Sequence, residues 1–159
     1  RQWRSDAEAV LRDMAGDAGE DMQVRVACAR ALMDRCGANA CVLLALEVVC
    51  EHQVGLPRAT AFRDIVAFQP GSLTDANREA VLNAGFAVLR ELPEEGEDVS
   101  SIGVSIVSCL ASELRMWRAF EPNRSDPKYR PWDQVRYDRD RIQNALRWYD
   151  ENMKEAAGH

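Results

Sequence analysis

Histidine is nearly absent from this 159-residue chain, which holds only His52 and the terminal His159. That scarcity removes the commonest metal ligand and general base. A metal site would fall to the five cysteines, but Cys28, Cys36, Cys41 and Cys50 are spaced 8, 5 and 9 residues apart, with no C-x2-C knuckle. There is no G-x-S-x-G nucleophile elbow and no G-x-G-x-x-G or G-x4-G-K-[ST] phosphate cradle. Long apolar runs are missing too. The longest, Ala38 to Cys50, is interrupted by Asn39 and Glu47 and is too short to span a bilayer. The opening RQWRSDAEAV has neither a signal-peptide apolar region nor an initiator methionine, which reads as part of a longer polypeptide. These absences point to no catalytic residue, no metal, no small-molecule cofactor and no membrane span.

What is present is ordinary globular material. Apolar residues make up 47% and charged residues 29%, enough to bury a core in one domain spanning residues 1–159. An odd count of five cysteines, four of them in apolar helical runs, suits free thiols acting as small hydrophobes. The expected compartment is therefore reducing and intracellular, cytoplasmic or nuclear. The net charge of -6 argues against a nonspecific polyanion binder. It is unevenly placed: residues 1–121 carry 12 basic and 19 acidic side chains, residues 122–159 carry 8 and 7.

Helical periodicity dominates the pattern. A first helix is expected from about Asp6 to Ala15, with Trp3, Val10, Leu11 and Met14 on one face and Ser5 with Glu8 as a capping box. A second runs from Met22 to Arg35, capped by Asp21 and ended by Gly37, with Val24, Cys28, Ala31 and Leu32 inward. Ala40 to His52 is apolar nearly all round and reads as a central buried helix. A short helix, Arg58 to Phe68, turns Phe62, Ile65 and Val66 inward. Thr74 or Ser72 caps the next, Asp75 to Leu92, which buries Val81, Gly85 and Val88.

Val99 to Phe120 begins ambiguously, because Ile102, Val104 and Ile106 alternate with small residues as in a strand. A lone strand would lack a partner, so helix is chosen, with Ser101, Ser105, Ser108 and Ser112 forming a small face open to close approach. Residues 121–131 hold three prolines and are expected to be an extended linker. A last helix, Trp132 to Ala156, turns Val135, Ile142, Leu146, Tyr149 and Met153 inward and pairs Asp150 with Lys154. The fold class is thus all-α, six or seven helices in antiparallel pairs. Of these, Val10, Leu32, Leu44, Val48, Val88 and Leu110 are the expected core.

The first hairpin, residues 5–37, resembles a HEAT-type or armadillo-type repeat. The pattern D…VR..A..AL that opens the second helix of such repeats is matched by Asp21, Val24, Arg25, Ala27, Ala31 and Leu32. The resemblance implies stacked helix pairs used as an interaction scaffold. No second copy at a fixed period is visible, so a HEAT-like stack and an irregular bundle both remain open. Its closing ALMDRCG also resembles segments of small phage packaging proteins.

Two places carry chemistry worth weighing. Glu47 stands alone in the apolar third helix with Glu51 and His52 one turn on. It is either a tuned acid–base group or the solvent edge of that helix, and the second reading is preferred. The other place is the tail, where Arg124, Lys128, Arg130, Arg136, Arg139, Arg141 and Arg147 interleave with Tyr129, Trp132, Tyr137 and Trp148. Arginine and aromatics together are what interface hot spots favour, and what single-stranded nucleic acid stacks upon. They also suit plain packing of the last helix, with Arg136 paired to Asp140. Tyr129, Arg130, Trp132, Arg136 and Arg139 are the candidate partner-binding residues. The expected function is a non-enzymatic protein–protein interaction or scaffold domain. A small DNA- or RNA-associated factor using the tail is the alternative, and an enzyme around Glu47 and His52 comes third.

Overall fold

The computed structural model describes residues 2–67, 73–116 and 118–153, with side chains from residue 5 onward. Trp117, Lys154 and the end of the last helix, Phe68, Ser72 and the side chain of Trp3 therefore lie outside the described residues. Within them the chain is all-helical. It forms α1 (Gln2–Gly16), α2 (Met22–Cys36), α3 (Ala38–Glu51), α4 (Leu56–Phe62) continued by a π-helical turn (Arg63–Ala67), α5 (Asp75–Arg90), α6 (Val99–Leu114) and α7 (Gln134–Asn152).

The helices form two layers. Helices α1, α3, α5 and α7 lie side by side in one, while α2, α4 with its π turn, and α6 form the other. Sequential helices pack across the layers, through short loops early in the chain and through the longer connection of residues 115–133 between α6 and α7. Between them lies one continuous core that includes Leu32, Val48, Phe62, Phe86, Ile106 and Leu110. The strand-like alternation at Ile102 to Ile106 is helix, with Ile102, Gly103 and Ile106 on the buried side.

One end of the molecule is held by arginines. Arg25, in the first turn of α2, is 3% exposed. Its Nε donates to the Ala15 carbonyl at 2.9 Å, and its other end pairs with Glu51 at the close of α3. Arg58, 33 positions along, does the same for the next pair. Its Nη2 donates to the carbonyls of Cys50 and His52 at 2.8 Å each, and its Nη1 meets Glu91, just past α5, at 3.3 Å. Arg90 of α5 then pairs with Asp150 of α7. Arg25 and Arg58 satisfy helix C-termini, where carbonyls lack intrahelical partners and positive charge is favoured, and Arg90 ties the ends of α5 and α7 together by charge. The C-termini of α1, α3, α5 and α7 therefore gather at one end.

Several expectations are corrected. Helix α1 begins at Gln2, so Ser5 lies inside it and no capping box forms; Glu8 instead accepts from Arg12 at 3.0 Å. Val10 is 56% exposed because α1 rests on α2 and α3 through Leu11, Met14 and Ala15. Leu44 is half-buried, and Leu43 faces outward at 56% exposure, so α3 is buried on one side only. The serines of α6 are not the close-packing face. Ser101 and Ser105 donate to the carbonyls of Asp98 and Ser101, and close approach occurs at the glycines. A Cβ on Gly85 would stand 2.6 Å from Leu110, and one on Gly103 would stand 2.4 Å from Ile142.

Helix α6 stops at Leu114 rather than Phe120. Arg115 adopts the left-handed conformation (φ 56°), and the Met116 N–H returns to the Ala111 carbonyl at 2.9 Å, a helix-ending closure normally made by glycine. The proline-rich stretch is not extended either. Asn123 and Asp126 side chains accept from the amides of Ser125 and Lys128 at 2.9 Å each, and successive turns close at Asp126 and Tyr129. Asx turns outweigh the extended preference of the prolines. Phe120, buried, anchors this stretch: its carbonyl accepts from Asn144 at 3.2 Å, and its ring meets Trp148 edge-on at 5.9 Å.

Candidate functional site

The tail aromatics divide into two groups. Trp148 and Tyr149, near the end of α7, stack on Phe86 with ring centroids 6.0 and 4.6 Å away and belong to the core. Tyr129 and Trp132, before α7, do not reach that core. Tyr129 is half-buried against Tyr137 at 6.4 Å. Trp132 is 76% exposed, the most exposed large apolar residue among those described.

Local geometry explains why Trp132 stays out. Asp133 caps α7, its carboxylate accepting from the Arg136 amide at 3.2 Å. That cap holds residues 130–133 in a turn, closed by the Asp133 amide on the Arg130 carbonyl at 3.1 Å. Arg130 donates through Nη1 to the carbonyls of Pro127 and Tyr129 at 2.8 and 3.0 Å. Its guanidinium also lies over the Trp132 ring, 5.6 Å from the centroid. The cation–π contact fixes both side chains in a pre-ordered pair.

Arg136 and Arg139 continue the exposed surface along α7. Among the described residues neither enters an ion pair, and the expected Arg136–Asp140 pair does not form. The five candidate residues thus lie along one stretch, with Arg130 and Trp132 in direct contact. Sequence reasoning missed what lies beside them. Val135 is 55% exposed rather than buried, and with Arg139 it lines a trough of about 660 Å³ between α7 and the acidic loop at residues 93–98. Leu92, Val99, Ile142 and Leu146 line it too, and Glu94 and Glu95 stand on its acidic side. Part of the signal was available: the EEGED loop is a run of carboxylates, and α7 carries four arginines.

Elsewhere the chemistry is spoken for. Glu47 lies on the exposed side of α3, Glu51 is engaged by Arg25, and the Nδ1 of His52 accepts from the Gln53 amide at 2.8 Å. Burial, then the neighbouring Arg58 guanidinium, lower the His52 pKa below its ordinary value. A second cleft of about 390 Å³, lined in part by Val42, Val81, Val104, Cys109 and Glu113, holds a thiol. Burial and then Glu113 push Cys109 up to about 12, so it stays a thiol at neutral pH and a poor nucleophile. All five cysteines are free. Among the described residues no group of three or more His, Cys, Asp or Glu converges as metal ligands, and no helix is long and apolar enough to cross a membrane.

No family model matches this chain, and neither a curated protein nor a solved structure shows significant similarity to it.

Proposed function

We propose that this protein is a non-enzymatic helical scaffold, its hairpins stacked in the manner of HEAT-type repeats, that binds a protein partner through Tyr129, Arg130, Trp132, Arg136 and Arg139. The observation that carries the reading is Trp132, 76% exposed with the Arg130 guanidinium set on its face. A large indole held in water by a cap and a cation–π contact offers binding area at little further cost in side-chain entropy. The bracing of successive hairpins by Arg25 and Arg58 supports the stacked-repeat part of the reading.

The test is capture from native lysate on immobilised chain, comparing wild type with Trp132→Ala/Arg136→Glu. The expected result is a partner retained by wild type and lost by the double variant, whose melting temperature stays within about 2 °C of wild type, as for surface changes. A double variant that unfolds, or that captures the same partner equally well, overturns the assignment. The same Arg–Trp pair suits stacking of single-stranded nucleic acid. That second reading predicts captured nucleic acid and affinity falling steeply with salt.

A further inference from the structure

We propose that the surface around Trp132 and Val135 is a two-fold contact between two copies of this chain. The proposal rests on the reading of that surface as a partner site and names the partner.

Three features point to a second copy. The centre of the surface is apolar: Trp132 and Val135, 76% and 55% exposed, are two of five large hydrophobic residues left outward among those described. They stand three positions apart at the entry to α7, and Val135 opens into the trough floored by Leu92 and Ile142. The second feature is the placement of charges that find no partner among the described residues. Glu94 and Glu95 occupy the loop side of the trough, while Arg136 and Arg139 follow on α7. The third is that these four charges form no ion pair among the described residues, although four ion pairs elsewhere join neighbouring helices.

A partner for such a surface needs an apolar centre with acid and base in reversed order. The same surface turned by a two-fold axis has that arrangement. A two-fold contact is self-complementary by construction, because each residue pair occurs twice and only one patch is required. The acidic loop of one copy then faces Arg136 and Arg139 of the other, and the reverse, while Trp132 and Val135 meet at the desolvated centre. Apolar centre and charged rim are the usual anatomy of a protein interface.

Sedimentation velocity on the full chain, from about 1 to about 500 µM, spans the range in which small interfaces associate. The expected result is a mass rising with concentration from 17.9 kDa towards twice that value. Two charge-reversal variants provide the second arm. Glu94→Lys/Glu95→Lys makes the patch basic on both sides, and Arg136→Glu/Arg139→Glu makes it acidic on both sides. Each alone should be monomeric throughout, with a helical spectrum like wild type. A 1:1 mixture should regain the doubled mass, because each variant now carries what the other lacks.

A wild type that stays monomeric at the highest concentration overturns the proposal, and so does a dimer indifferent to both reversals or a mixture that stays monomeric. If a reversal variant misfolds, Trp132→Ala, outside any helix, takes its place and must weaken the dimer at least tenfold. A monomeric wild type that still captures a different protein through Trp132 and Arg136 sinks only the self-association. Loss of both the dimer and the capture sinks the underlying reading as well.

Discussion

Arg25 and Arg136 occupy similar places, four residues after Asp21 and three after Asp133, the aspartates that cap α2 and α7. Their fates are opposite. Arg25 is buried, its guanidinium divided between a helix-ending carbonyl and a carboxylate from a third helix. Arg136 is exposed and meets no carboxylate among the described residues. What separates them is what lies opposite. In front of Arg25, α1 and α3 end together and leave unpaired carbonyls and Glu51. Arg136 has no such carboxylate or helix-ending carbonyl as a partner among the described residues. An arginine at a helix start becomes structural where the carbonyls and carboxylates of neighbouring helix ends come within its reach.

The sharpest way to break this comparison is to make one change at both places. Arg25→Met keeps the apolar stem but leaves the Ala15 carbonyl unpaired inside the protein. It should cost about 2–3 kcal/mol by chemical denaturation, less than for a fully buried pair because Glu51 can turn into water. Arg136→Met should cost less than about 0.5 kcal/mol. Equal costs would mean that Arg25 acts through its stem alone.

A second pair sharpens the comparison with aromatics. Trp148→Ala removes a ring that stacks on Phe86 and meets Phe120, and should cost about 2 kcal/mol, moderated by its partial exposure. Trp132→Ala should leave the unfolding midpoint nearly unchanged, as expected of a side chain touching little beyond Arg130. A large loss at Trp132 would mean that it packs, and the proposed binding surface would lose its centre.

Much of the architecture was legible in the sequence, because caps and periodicity are local signals. Asp21, Gly37, Thr74 and the stripe from Val81 to Leu89 mark helices where the structure has them. Val10 and Val135 were misread for a common reason. Each sits in a sound apolar stripe at the edge of a layer, and periodicity finds a stripe without showing whether a neighbour covers its margin. The early stop of α6 depends on a non-glycine residue in the left-handed region, Arg115, for which composition gives no warning. The braces were half legible. Arg25 stood in the repeat-like pattern, but its partners Ala15 and Glu51 are 10 and 26 positions away, and only the fold reveals the matching role of Arg58. In the candidate site, the exposed residues were legible from their chemistry, whereas the trough needed the acidic loop to be brought beside α7.

The smallest expected effect lies at the braced end and reads out its electrostatics. His52 follows α3, and Arg58 reaches over it to the Cys50 and His52 carbonyls. Protonating the imidazole there would bury a cation beside a guanidinium, and Nδ1 would have to release the Gln53 amide it accepts from at 2.8 Å. The folded pKa is therefore lowered, by burial first and Arg58 second, while the unfolded chain titrates near the ordinary 6.5. Between those two values the unfolded state binds more protons, so stability rises with pH across that window. The full contribution is present above about pH 6.5 and is lost as the pH falls through the folded pKa. His52→Asn places a carbonyl oxygen close to the position of Nδ1, so it can still accept from Gln53 but cannot titrate. Wild type and variant should melt alike at pH 8, with wild type losing more as the pH drops to 5.5. Arg136→Gln, at the start of α7, should leave that difference unchanged. Melting curves of wild type and His52→Asn that stay parallel from pH 8 to 5.5 would show that the arginine brace imposes no charge constraint on its neighbour, and that Arg25 and Arg58 act through packing and hydrogen bonds alone.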